Sequence, residues 1–376
     1  MPLKITLWQR KHWSLQLFFT LPSEVEALLE ELVWGTPGGI RYTHPGSTQA
    51  LDQMGATYFL TLLRREQVLS TLGFVHKSAR LASQADLVRA YYVRYLAFDP
   101  RLQNRQVGAQ ASVRPPKASH VLKQQIGRIF EADSPLQQVH GSEEAPTLFY
   151  AYVIGDNARS AQLTESFGFQ AIRRFRTRFF TRLFPRKKAA VACLTPTEIP
   201  TMEKQLAHFY QGYGFLCPDD LQLQAPYYVW RENGEIVAGV QVRVRQWTVQ
   251  ELPGREGKLM LHVLPHIPIL RRVFNPRAFR FGGFDGLYVK KGHENILPDL
   301  FEGVLAAERL HSAMLWLDDQ TALFHLIDQL PGMGLLSPLM GQTAWADVIV
   351  RPLNFKQDPV SLLKQVPHYI SGLDVV

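Results

Sequence analysis

From Thr147 to Ile154 apolar, β-branched and aromatic residues follow one another for the length of a strand, and Gly155-Asp156-Asn157 then interrupts the run as a turn does. Past the turn the period changes. Leu163 and Phe167 stand four apart, Asp156 or Asn157 is placed to cap a helix, and Gly168 falls where a left-handed C-terminal residue is wanted. Strand, turn and short helix are therefore predicted in succession, with a new strand from Phe169. A helix in that position aims its unpaired N–H groups beyond the strand ends, which suits an anionic or amide-rich ligand.

The same reading orders the rest of the chain. Residues 3–9 form a first strand, and Ser23-Glu24-Val25-Glu26 reads as a capping box. It opens a helix with the stripe Val25, Leu28, Leu29, Leu32, ending near Gly35. Residues 36–56 read as loop. Thr57–Leu63 and Val68–Val75 form a hairpin around Arg64–Gln67, Tyr91–Phe98 is a strand, and a helix starts near Ser119. From residue 189 the plan repeats: a helix at 200–213, strands at 227–230 and 236–244 around Asn233-Gly234, a strand at 286–290 and a helix at 296–310. A second strand–turn–helix, SAMLWLDDQTALFHLIDQLPGMG, aligns with the first at a constant offset of 163, setting Asp319-Gln320 against Asp156-Asn157. We read an internal repeat of two α/β (α+β) domains, 1–188 and 189–376, divided at Pro185–Lys188.

Composition adds limits. At 46% hydrophobic and 20% charged, the 376 residues are those of a folded protein with room for two domains. No apolar run is long enough to span a bilayer, and Leu15–Leu21 is too short for a signal-peptide core. Two cysteines, Cys193 and Cys217, are too few to staple the chain, so a cytoplasmic location is expected. The net charge of +8 is local: residues 171–188 hold eight Arg and Lys and no acid, leaving 33 basic against 33 acidic residues elsewhere. Such a strand either meets an anionic partner or is a solvated edge guarded by charge. No nucleic-acid-binding signature accompanies it, so nucleic acid is disfavoured. Metalloprotease, nucleophile-elbow and Walker motifs are absent, and Pro265 breaks the helical spacing of His262 and His266, so no metal site is expected.

The order Asn157-x-x-Ser160-x-x-Leu163-x-x-x-x-Gly168-Phe169 resembles the late motif of the GNAT superfamily of acyl-CoA N-acyltransferases. The resemblance implies two tandem GNAT-like domains, each a mixed, mostly antiparallel sheet flanked by helices. It also implies acyl transfer from acetyl-CoA, or another acyl-CoA, to a small-molecule or peptide amine. Asn157 and Ser160 would then meet the pantetheine arm, and a backbone N–H near Leu96 to Phe98 would polarise the thioester carbonyl. Gln103-x-x-Gln106-x-Gly108 occupies the place of the pyrophosphate loop, with Gln106 where the family has glycine. The Tyr that protonates the leaving thiolate in many relatives is Thr164 here. Glu66, Asp99 and Glu165 are the candidate bases, and Tyr92, or Tyr91 with Tyr95, faces the cleft. The second half has no pyrophosphate loop at Lys290-Lys291-Gly292-His293, and Leu323 aligns with Ser160, so it reads as degenerate. The competing reading is a catalytically inactive pair of such domains that binds CoA or an anionic partner through 171–188.

Overall fold

The computed structural model describes residues 4–35, 38–46, 48–49, 51–82, 84–99, 123–140, 144–155, 157–334 and 344–375. Gln103, Gln106, Gly108 and Asp156 lie outside them. The described strands are β1 (Lys4–Arg10), β2 (Trp13–Phe18), β3 (Arg41–Thr43), β4 (Thr57–Arg64), β5 (Gln67–Leu81), β6 (Val88–Phe98), β7 (Thr147–Ile154) and β8 (Gln170–Thr181) in the first half. The second half holds β9 (Val191–Cys193), β10 (Phe215–Leu216), β11 (Tyr227–Glu232), β12 (Glu235–Glu251), β13 (Phe279–Val289), β14 (Ser312–Asp318) and β15 (Trp345–Leu353). They join one mixed, mostly antiparallel sheet in the order β1-β2-β4-β5-β6-β7-β15-β8-β14-β13-β12-β11-β9, with β10 on β5 and β3 on β12.

This order contains an exchange. The last strand of the first half, β8, pairs with β14 of the second, while β15 of the second half pairs with β7 of the first, and β15 and β8 lie side by side between them. A shared core follows, in which Phe59, Tyr92 and Tyr150 pack in one cluster with Trp247, Phe281, Trp316 and Val348. The repeat reaches the register: β6 and β7 are parallel with Tyr91–Phe149 and Tyr92–Tyr150 opposed, and β13 and β14 are parallel with Gly282–Ala313 and Gly283–Met314 opposed.

The central prediction holds closely: β7 spans Thr147–Ile154, a helix spans Ala158–Glu165, and Gly168 has φ +81°. Other expectations need correction. Pro22, not Ser23, caps the first helix (Ser23–Glu31), and no side chain bonds its end, because Ser23 already lies inside it. Residues 41–43 and 51–54 are ordered as β3 and a short helix rather than loop. The N-terminal apolar run belongs to β2. In the repeat, Thr321 rather than Gln320 stands opposite Asn157: each caps its helix, accepting from Phe324 N–H at 3.1 Å and from Ser160 N–H at 3.0 Å. Phe324, not Leu323, therefore corresponds to Ser160.

The basic strand is central and not a solvated edge, one of the two readings its sequence left open. Alternation puts Phe175, Thr177 and Phe179 into the core with Arg173, and Arg174, Arg176 and Arg178 on the other face. Second-half carboxylates take up the charge. Arg173 bonds Asp318 at 2.8 and 2.9 Å, Arg174 bonds Asp347 at 3.1 Å, and Arg176 bonds Asp319 at 3.3 Å. Arg178 reaches Asp328 at 2.5 Å and Arg182 reaches Glu302 at 3.5 Å. The stretch braces one half against the other.

His368 sits over this brace. Its Nε2–H donates to Leu363 O at 2.9 Å, and burial, then Arg173, push its pKa down to about 3. A depressed histidine contributes stability that is full above the unfolded value of about 6.5 and lost as pH falls toward the folded one. Denaturant unfolding should therefore lose about 2–3 kcal/mol through this group between pH 7 and pH 4.5, and His368→Gln should flatten that limb. An unchanged acid limb in the variant would remove His368 from the account.

Candidate active site

The first half forms a fork. β6 and β7 are paired only over Arg89–Tyr92 and Thr147–Tyr150, although β6 continues to Phe98 and β7 to Ile154. Just past the crotch β6 carries a bulge: Gly73 lies opposite Arg94 and Thr71 opposite Ala97, so β6 has one extra residue, and Tyr95 takes φ +57°. A bulge bends a strand and re-aims its groups, and here it lies just past the last β6–β7 pair. Gly73 makes room for it, since a Cβ there would lie 3.0 Å from the Tyr95 ring. Beyond the bulge Leu96 and Phe98 are 37% and 40% exposed, as is Ile154 at 48% on the facing strand. The helix capped by Asn157 springs from the end of β7, and none of its side chains is buried.

The crotch is held by a segment far away in sequence. Residues 368–375 cross the sheet, and Tyr92 O–H donates to Asp374 O at 2.6 Å while Tyr150 O–H donates to its Oδ2 at 2.9 Å. Lys77 Nζ, on β5, bonds Asp374 Oδ1 and Asp220 Oδ1, both at 2.6 Å. Burial alone would lower the Lys77 pKa, but the two carboxylates outweigh it and hold the ammonium charged. Burial raises the Asp220 carboxyl against the pull of Lys77, and likewise raises the phenols of Tyr92 and Tyr150. These tyrosines keep their protons at neutral pH.

The second half repeats the fork and closes it. β13 carries the same bulge, with Gln241 opposite Asp285 and Gly239 opposite Tyr288, and Gly286 at φ +56° stands where Tyr95 stands in the first half. The Gly286 N–H is already taken: it donates to Asp285 Oδ1 at 2.9 Å and to Tyr369 Oη at 3.0 Å. Tyr369 O–H donates to the same carboxylate, and Gly372 N–H and Arg243 complete its shell. The cavity left there is about 20 Å³, room for a single water.

The sequence candidates are not all brought together. Leu96, Phe98 and Tyr92 lie on the fork. Asn157 and Ser160 are bonded to each other at the helix start, Oδ1 to N–H. Glu66 is exposed in the β4–β5 turn, with φ +68°. Asp99 is buried just past β6 and receives Gln67 Nε2 at 3.3 Å. Glu165 is exposed at the far end of its helix from Asn157. Asp374, Lys77 and Asp220 went unread. Their signal is faint: one acid in the apolar tail Tyr369–Val376, and one lysine inside an apolar strand. An open groove of about 730 Å³ lined by Lys123, Phe167 and Arg351 lies at the opposite end of the 158–165 helix from Asn157.

A sheet forked between parallel strands, bulged beside the fork and followed by a helix start, belongs to the GNAT-like fold. The fold is shared with solved N-myristoyltransferase structures. Saccharomyces cerevisiae N-myristoyltransferase with bound myristoyl-CoA superposes with a TM-score of 0.56 at 9% identity, covering 94% of this chain and 86% of that one. A second structure of that enzyme with bound myristoyl-CoA gives 0.54 at 8% identity, covering 93% and 81%. A GCN5-related N-acetyltransferase from Anabaena variabilis gives 0.44 at 11% identity, covering 90% and 72%. No family model and no curated protein matches the sequence.

Proposed function

We propose that the chain is an acyl-CoA-dependent N-acyltransferase whose acyl-CoA site is the β6–β7 fork. The observation that carries this reading is the contrast between the forks. Both forks open past a short parallel pairing and lead to a capped helix, but past the first bulge Leu96 and Phe98 are exposed, whereas past the second Leu287 and Val289 are buried, the bulge N–H is bonded and about 20 Å³ of space is left. The acyl-CoA supplies an activated acyl group: the amine nitrogen bonds the carbonyl carbon as the C–S bond breaks, the amine gives up a proton and the thiolate gains one. Leu96 to Phe98 would present backbone N–H to that carbonyl, and Asn157 and Ser160 would meet the pantetheine arm. Tyr92 and Tyr150 keep their protons at neutral pH and donate them to Asp374, so either would turn its O–H away from Asp374 to protonate the thiolate.

Acetyl-CoA is the donor expected from the sequence, and the myristoyl-CoA in the superposed structures widens the class to long-chain thioesters. A primary amine, free or at the end of a peptide, is the acceptor. Two unpaired cysteines keep a reducing cytoplasm as our reading of the location. Among the described residues no helix is long and apolar enough to cross a membrane. The alternative, a non-catalytic anion binder working through 171–188, is weakened by the internal pairing of its arginines.

The test is CoA release from acetyl-CoA and myristoyl-CoA with a panel of amines. The account expects release that requires both thioester and amine, with Tyr92→Phe slowing it about 10²-fold or more if Tyr92 supplies the proton. Saturable acyl-CoA binding without release from any amine would favour the inactive reading.

A further inference from the structure

Where the two halves meet, buried N–H donors cluster for which the described residues supply no acceptor. On β12, Arg243, Arg245 and Trp247 alternate with exposed Val244 and Gln246 and so share the core-facing side. Opposite them, Tyr42 of β3 stacks on Trp247 with centroids 4.0 Å apart, Trp34 pairs with Tyr42, and Trp34 packs 5.8 Å from Tyr95 at the first-half bulge. Arg94 lies 4.1 Å over the Tyr95 ring. Arginines from both halves thus meet beside the fork.

Arg245 Nε and Nη2, Arg243 Nε, Trp247 Nε1 and Trp34 Nε1 are all buried and have no acceptor among the described residues. Neither Arg94 nor Arg245 has an ion-pair partner there, and Arg243 reaches Asp285 only at 3.4 Å. Burial, then Arg243 and Arg94, lower the Arg245 pKa, and burial, then Arg245 and Arg94, push His44 down to about 4, so His44 adds no competing charge at neutral pH. Native proteins leave few buried donors unpaired, and five in one cluster, two of them on the same guanidinium, call for an acceptor from outside. A planar guanidinium fork flanked by indole N–H groups suits a carboxylate or a phosphate.

We infer that this donor cluster binds the anionic group of the acceptor, so that the amine to be acylated carries a carboxylate or phosphate a few bonds away. This rests on the acyl-transfer reading for the word acceptor, but not for the anion site itself. Because Tyr95 joins the cluster to the bulge, an anion held by Arg245 would leave the amine of the same molecule directed at the fork.

Two experiments separate the claims. First, without any acyl-CoA, wild type, Arg245→Met and Arg245→Gln are melted against inorganic phosphate and against acetate at constant ionic strength. The inference expects a rise in Tm for the wild type that both variants lose, and whichever anion acts identifies the group. Equal rises in all three proteins would overturn it. Second, CoA release is compared for β-alanine against propylamine and for phosphoethanolamine against ethanolamine. One charged amine should exceed its neutral match by about 10²-fold in kcat/KM, and that advantage should shrink to a few-fold in Arg245→Met. Equal use of charged and neutral amines would overturn the inference while leaving acyl transfer intact. Anion-dependent melting lost in the variants, with no release from any amine, would keep the anion site and remove acyl transfer instead.

Discussion

Replacing Lys77 with methionine should destabilise the protein by about 3–5 kcal/mol, the usual cost of removing one member of a buried ionic group. Lys77 is the only cation bonded to the Asp220 and Asp374 carboxylates among the described residues, and all three side chains are less than 10% exposed. Without it two carboxylates face each other in the core with Tyr150 O–H as the remaining bonded donor to Asp374 Oδ2. For a chain of this length the loss corresponds to a fall in Tm of about 5 °C. The triple variant Lys77→Met, Asp220→Asn, Asp374→Asn should recover most of it, because neutral amides of the same shape no longer need the ammonium. Unchanged melting of Lys77→Met would show that the network does not hold the tail. The consequence for function is direct, since Asp374 is what ties residues 368–375 to Tyr92 and Tyr150 at the crotch of the fork.

Local pattern made the first half of this fork legible. β7, its turn and its helix are specified within 23 residues by an apolar run, an Asn cap and a left-handed glycine, and all three signals act on neighbours in sequence. The second fork was half hidden. β13 begins at Phe279, inside a Pro- and Arg-rich stretch, and its Gly282-Gly283 reads as a break. Gly282 is there for contact, since a Cβ at that position would meet the Val242 side chain at 2.9 Å.

What escaped was non-local. Arginines along β8 are plain in the sequence, but the carboxylates that engage them lie more than a hundred residues away, so the charge looked free. Strand exchange is invisible for the same reason, because a strand's pattern gives its faces and not its partner. Asp374 is a single acid in a tail with no period to read, and its meaning comes from Lys77 and Tyr150 on other elements. The orphaned donors of Arg245 and Trp247 become evident only when burial and the lack of an acceptor are seen together.

The second large effect expected is the loss of acyl-CoA recognition from one half alone. Asn157 and Thr321 cap corresponding helices through corresponding bonds, so Asn157→Ala and Thr321→Ala should each cost about 1 kcal/mol of stability. Their effect on ligand should differ completely if only the first fork is a site. Placing leucine at Ser160 as well adds bulk at the start of the first helix, where the pantetheine arm is proposed to pass.

The direct measurement is therefore thermal unfolding of wild type, Asn157→Ala with Ser160→Leu, and Thr321→Ala, each with and without acetyl-CoA and myristoyl-CoA. Ligand at about a hundred times its dissociation constant should stabilise a binding protein by roughly 2.7 kcal/mol, a shift of a few degrees. The account predicts that shift in the wild type and in Thr321→Ala, and its loss in the first-half variant. A shift that vanishes in Thr321→Ala and survives in the first-half variant would contradict the choice of fork, and no shift with either thioester would contradict acyl-CoA binding altogether.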